Sequence, residues 1–145
     1  DHLSLMARAM SAGLLDDYEI IVKPHPYLSV DGMLRSLLGS RMERVRIAGG
    51  KIQDELQAGT LVWASNSTTV ALEASLLGLP VVVMWPHDNF DLCPLQDVPG
   101  LQRTGSLDDV RAALADPHVV SLPADYLELD ENLPRWHALL DGKTE

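Results

Sequence analysis

Between Gly78 and Pro86 the chain reads Leu79-Pro80-Val81-Val82-Val83-Met84-Trp85, an apolar run with no polar residue for its side chains to alternate against. A half-exposed strand alternates apolar and polar side chains, because successive residues point to opposite faces of a sheet. A continuous run over Pro80 to Trp85 instead fits a parallel strand covered by helices on both faces. That one segment points to an α/β architecture.

The rest of the chain repeats the alternation. Leu3 to Leu15 has apolar residues at three- and four-residue spacing and predicts a helix. Glu19 to Lys23 is a β-rich run stopped by Pro24 and Pro26. Asp31 to Leu38 predicts a helix with Met33, Leu34, Leu37 and Leu38 as its buried stripe, ended by Gly39. Arg44 to Ala48 predicts a second strand, Lys51 to Gln57 a short helix and Thr60 to Ala64 a third strand. Ser65 to Thr69 is a polar turn, and Val70 to Leu77 a helix ended by Gly78. Pro86 to Gly100 is the longest irregular piece. Leu107 to Ala115 predicts a helix, with Ser106 and Asp109 spaced as a capping box. Residues 116–130 are a poorly patterned connection, and Leu133 to Leu140 is a closing helix with Pro134 in its first turn. Strands and helices in this order form right-handed βαβ units around a Rossmann-like parallel sheet. Residues 1–145 read as a single domain, with 116–145 as connection and closing helix. The first residues already look helical, so the chain reads as beginning inside a larger structure.

Composition narrows the function classes. The 145 residues are 46% hydrophobic and 22% charged, which is ordinary globular usage with material for a core. The net charge of −10 argues against a nucleic-acid partner, since phosphate backbones need clustered Lys and Arg. The one basic cluster, Arg35 to Arg46, is interrupted by Glu43 and reads as a solvated helix end and turn. Cys93 alone makes neither a disulfide framework nor a zinc cluster, and fits a reducing compartment. No apolar run approaches the roughly 20 residues that span a bilayer.

Two segments carry chemistry. Lys23-Pro24-His25-Pro26 stands where the first strand leaves the sheet, and its prolines fix the backbone on both sides of the histidine. An imidazole there can donate to a phosphate oxygen or pass a proton to a leaving group. A rigid turn with an incidental surface histidine is the plainer alternative. Ser65-Asn66-Ser67-Thr68-Thr69 lies between a strand and the helix from Val70. A helix start offers unpaired N–H groups and the positive end of its dipole, and hydroxyls beside it add phosphate donors. One cap needs only one such residue, and five in a row exceed that need. Glu73 lies on the helical face of Asn66 and Thr69, with Val70, Ala74 and Leu77 expected on the buried face beside it. A carboxylate in that place can accept two ribose hydroxyls; the alternative is a solvated helix glutamate.

Taken in order, Lys23-Pro24-His25-Pro26, then about forty residues later Ser65 to Thr69, then Glu73-Ala74-Ser75-Leu76-Leu77-Gly78-Leu79-Pro80, resembles the C-terminal half of GT-B glycosyltransferases. The kin it looks most like are bacterial enzymes of surface polysaccharide assembly: capsule and O-antigen transferases, sialyltransferases with an HP motif and a serine/threonine motif, and teichoic-acid glycerophosphotransferases. The resemblance covers Glu19 to Ala115. It implies a donor-nucleotide-binding domain that serves transfer of a sugar from a nucleotide donor to a surface polysaccharide. His25 would contact the donor phosphate and stabilise the departing nucleotide. Lys23, Ser65, Asn66, Ser67, Thr68 and Thr69 would line the phosphate site, and Glu73 would take the ribose. By their place after the fourth strand His87, Asp88 and Asn89 can line a sugar pocket, with a loop turn and a capping Asp as the plainer alternative. No cofactor and no metal are implied, and the donor leans toward CMP- or CDP-linked sugars. The resemblance further implies a cytoplasmic location with peripheral association at the inner face of the membrane. A glycan acceptor would sit on an N-terminal partner domain, where the general base is also expected, and the glycine-rich turn that often precedes the first helix of this half is expected upstream of Asp1.

Other residues carry less. His87, Asp88 and Asp91 match no metal-ligand spacing. His2, His118 and His137 have no companion in sequence and are expected at the surface. Ser67 is not in a G-x-S-x-G elbow, and Gly49-Gly50 is not a dinucleotide fingerprint. Two alternatives remain. An epimerase of the UDP-N-acetylglucosamine 2-epimerase type shares the fold and the ribose glutamate, but usually has Ser-Gly-Gly where this chain has Ser67-Thr68-Thr69. A non-catalytic α/β interaction domain is the other, since fold alone does not establish function.

Overall fold

Among the described residues all the strands pair in parallel, and helices pack on three of them. The computed structural model describes residues 2–85, 90–127 and 133–141. Its elements run α1 (His2–Ser11), β1 (Ile20–Val22), α2 (Asp31–Leu38), β2 (Val45–Ile47), α3 (Ile52–Ala58), β3 (Val62–Ser65), α4 (Val70–Leu76), β4 (Val81–Met84), β5 (Gln102–Thr104), α5 (Leu107–Ala115) and α6 (Pro134–Leu140). A 3-10 turn, Gly39–Arg44, joins α2 to β2. The ladder falls into two groups. β1 pairs with β2 in the register Ile20 to Val45, and β3, β4 and β5 pair side by side, with Val62 against Val81 and Val82 against Gln102. The Rossmann-like α/β class is therefore present, but its ladder is not continuous among the described residues. β1 is only three residues long, because Pro24 and Pro26 carry no N–H with which to extend it.

β4 shows why its sequence has no polar side. Val81 and Val83 enter a core with Ala64, Ala71, Ala74 and Leu95. Met84 enters a second core on the other face, with Met6, Met10, Ile20, Leu34, Val45 and Val110. Trp63 of β3 packs against that second core, and its indole N–H donates to Thr104 Oγ1 of β5 at 2.9 Å. Thr104 is fully buried, so the bond satisfies two polar groups that water does not reach.

Two buried stripes differ from the sequence expectation. On α2 only Leu34 and Leu38 are buried, while Met33 and Leu37 are exposed. On α4 the buried residues are Ala71, Ala74 and Ser75, and Leu77 is exposed rather than inward. α4 lies on β3 and β4, and small side chains let a helix backbone approach a sheet closely, so alanines rather than leucines form its inner face. α4 ends as Gly78 implied. Gly78 has φ +73°, Leu79 N–H donates to Ala74 O at 3.0 Å, and Gly78 N–H donates to Ser75 O at 3.0 Å. This is the Schellman closure, which favours glycine because other residues resist positive φ. The capping box of α5 is present: Asp109 N–H donates to Ser106 Oγ at 3.2 Å, and Ser106 N–H donates to Asp109 Oδ2 at 2.8 Å.

Two of the three solitary histidines have companions. His2 faces the Trp63 ring with centroids 5.1 Å apart. Burial first, and a neighbouring positive charge second, lower its pKa to about 4. The folded pKa thus lies below the unfolded value of 6.5, so protonation favours unfolding. Stability is expected to fall by about 1–2 kcal/mol as pH drops from 6.5 toward 4, after discounting for partial exposure. Urea unfolding at both pH values, compared with His2→Asn, isolates this term from the carboxylates. A variant with the same pH slope as the parent would count against it. His118 places Nε2 at 2.9 Å from Gly100 O and Nδ1 at 3.1 Å from Asp116 O. Those two carbonyls, Gly100 first, raise its pKa by favouring the charged ring. His137 is exposed on α6, as expected.

Candidate functional site

The site has to be assembled where strands end. β1 stops at Val22, and the next residues are Lys23, Pro24, His25 and Pro26. Lys23 is half-buried and His25 exposed. A turn forms around the histidine: Leu28 N–H donates to His25 O at 2.9 Å, and Tyr27 N–H approaches His25 Nδ1 at 3.4 Å. The Tyr27 ring lies 5.5 Å from the imidazole, centroid to centroid. Nδ1 thus faces the Tyr27 amide, and the imidazole stands exposed at the turn.

Ser65 is not in the polar turn; it is the last residue of β3, paired with Met84. The extra residue follows from β4, whose Met84 still offers a ladder partner at that level. Asn66 Nδ2 donates to Phe90 O at 2.9 Å, tying the segment to the chain that leaves β4. Thr68 Oγ1 accepts from Val70 N–H at 3.2 Å, which is the ordinary work of a hydroxyl at a helix start. Thr69 occupies the N-cap of α4 without bonding a backbone N–H through its side chain. Its hydroxyl instead lies 3.4 Å from Glu73 Oε1. Ser67 is exposed. The segment therefore splits: Thr68 serves the helix, Asn66 serves the neighbouring loop, and Ser67 and Thr69 face outward.

Glu73 is neither bare nor fully solvated. It is half-buried, and Gln53 Nε2 of α3 donates to its Oε2 at 3.1 Å. Sequence reasoning passed over Gln53. No local signal marks it, because its contact with Glu73 crosses 20 residues of chain. Phe90 and the Asp91–Arg103 ion pair were also missed.

The structure brings Thr69, Glu73 and Gln53 together, and Asn66 with Phe90. Among the described residues no hydrogen bond or ring contact joins His25 to Ser65–Thr69. His87, Asp88 and Asn89 lie outside the described residues. Lys23 is close enough to Glu55 to help lower that carboxyl's pKa, although the hydrogen bonds from Arg46 do most of it. The basic cluster dissolves into pairs: Arg35 with Asp31 at 2.8 Å, Arg44 with Asp16 at 2.7 Å and Arg46 with Glu55 at 2.7 Å. It offers no combined phosphate-binding surface. Burial pushes the Cys93 thiol above its usual pKa, which leaves it a protonated core residue. A shallow groove of about 230 Å³ lies between β5 and α5, lined by Gln102, Arg103, Asp109, Ala112, Ala113 and Asp116, none of them a residue predicted for the site. No helix among the described residues is long and apolar enough to cross a membrane. No family model, no curated protein and no solved structure matches the chain.

Proposed function

We propose that this chain is the donor-nucleotide-binding domain of a GT-B glycosyltransferase that moves a sugar to a surface polysaccharide. The observation that carries the reading is that His25 and the Ser65–Thr69 segment each follow the carboxyl end of a parallel strand, β1 and β3. In open α/β folds ligands bind outside those ends. In this reading the His25 imidazole and the exposed hydroxyl of Ser67 are donors suited to phosphate oxygens, and Lys23 adds charge. In this reading the protein speeds transfer by stabilising the negative charge that builds on the leaving nucleotide phosphate. The general base and the acceptor belong to a partner domain, so this chain alone forms no glycan product. Its location would be the cytoplasmic side of the membrane.

Calorimetry with CMP, CDP, UDP and GDP tests the reading. One nucleotide is expected to bind, and His25→Ala and Ser67→Ala are each expected to weaken it about tenfold, the worth of a hydrogen bond to a charged group. Circular dichroism should show both variants folded. Absence of binding to all four, or variants that bind like the parent, would remove the proposal and favour a non-catalytic α/β domain.

A further inference from the structure

His118 sits in the chain that leaves α5, and each of its ring nitrogens meets a backbone carbonyl. Nε2 lies 2.9 Å from Gly100 O, ahead of β5, and Nδ1 lies 3.1 Å from Asp116 O, at the C-cap of α5. A carbonyl oxygen only accepts, so both nitrogens must donate. A neutral imidazole carries one N–H and turns the lone pair of its other nitrogen against the second carbonyl. The imidazolium alone satisfies both contacts. The Asp116 contact joins near neighbours in the chain, whereas the Gly100 contact reaches across it.

The ring thus fastens a strap. Residues 117–126 form no helix or strand. Val120 is buried in the core that holds Cys93, Leu95, Val98 and Leu101, and Leu122 and Tyr126 pack against that core. The Tyr126 hydroxyl donates to Pro94 O at the far end. Cys93, the chain's one cysteine, is 2% exposed under this cover. The Asp116 carboxylate also acts on the ring and favours its charged form, while Gly100, Pro117 and Val119 bring no charged side chain.

We propose that His118 is a proton-operated clamp: charged, it fastens the 117–126 strap over the Cys93 core, and neutral, it lets the strap open and the thiol be reached. The two carbonyls, Gly100 first, hold the ring's pKa above the ordinary 6.5. The clamp is therefore complete below that value and is lost as pH rises through the folded pKa.

Labelling of Cys93 by dithiodipyridine, on the whole chain and on His118→Gln, tests the clamp. Glutamine keeps one donor, as the neutral ring does, and His118 is exposed, so the substitution leaves the cores untouched. At about pH 5.5 the variant should label roughly five- to tenfold faster than the parent, and at about pH 8.5 the two rates should agree within about twofold. Ionisation of the thiol cancels in the ratio of the two rates. A ratio that is raised equally at both pH values makes His118 merely structural and overturns the proposal. A ratio near one throughout shows that the ring fastens nothing, and overturns it as well. Nitrogen NMR of the parent's ring against pH needs no variant: a midpoint above 6.5 is expected, and one at or below 6.5 removes the clamp.

Discussion

Leu34→Ala is expected to lower the unfolding free energy by about 2–5 kcal/mol, the range for emptying a well-packed leucine site. Leu34 has no exposed surface. It sits on α2 in the core shared with Met6 and Met10 of α1, Ile20 of β1, Val45 of β2 and Met84 of β4. Strands of both ladders contribute to that core: β1 and β2 belong to one group of strands and β4 to the other. Side-chain packing is therefore what joins the two groups, and a cavity at Leu34 weakens the joint itself. Domains of this size are stable by about 5–15 kcal/mol, so the loss is a large fraction of the total. Urea unfolding followed by circular dichroism measures it. His25→Ala, at an exposed turn, should change the midpoint little and serves as the control. A Leu34→Ala loss under about 1 kcal/mol would mean that the core collapses around the gap and that packing there is not what joins the strands.

The same core marks how far the sequence could be read. β4 was legible because Val81 to Met84 has no polar side, and only a strand covered twice requires that. β1, β2 and β3 were legible because β-branched runs end at Pro24, Gly49 or a polar turn. β5 was not. Gln102-Arg103-Thr104 has no apolar residue, and it is a strand because β4 offers an unpaired edge and because the Trp63 indole needs the Thr104 hydroxyl. Both causes are tertiary, and no local propensity reports them. The buried faces of α2 and α4 were misread for a related reason. Ala74 is buried as expected, but counting leucines also marks Leu37 and Leu77, whereas close approach to the sheet selects Ala71 beside Ala74. Near the candidate site, the Thr69–Glu73 contact was legible from helical spacing. Gln53 was not, because its meaning depends on a contact across 20 residues of chain.

Arg103→Met is expected to cost about 2 kcal/mol, less than a fully buried pair because Arg103 and Asp91 keep 26% and 15% of their side-chain surface. Arg103 donates from Nε and Nη2 to Asp91 Oδ2 at 3.3 and 3.2 Å, and from Nη2 to Gln96 O at 2.7 Å. Its guanidinium also lies 5.5 Å from the centroid of Trp85. These bonds hold the chain between β4 and β5, which has no helix or strand of its own among its described residues. Asp91 uses its other oxygen to accept from Cys93 N–H at 3.0 Å, and Leu95 and Val98 are buried below it. Phe90, the next residue back, is the one whose carbonyl receives Asn66. Methionine keeps much of the apolar stem but leaves Asp91 without its cation, so most of the cost is an unpaired, partly desolvated carboxylate. Asp91→Asn should therefore cost less than Arg103→Met, and adding it to Arg103→Met should recover part of the loss. That coupling is the decisive number, because a simple packing defect would make the two changes additive. Hydrogen exchange should speed up in residues 90–98 and remain unchanged in α1 and α2, since only the anchored segment is released. If binding at Ser65–Thr69 depends on that anchor, nucleotide affinity falls in Arg103→Met and returns in the double variant. Additive costs with uniform exchange would instead make Arg103 an ordinary surface-packing residue and leave the Asn66–Phe90 bond to position the segment alone.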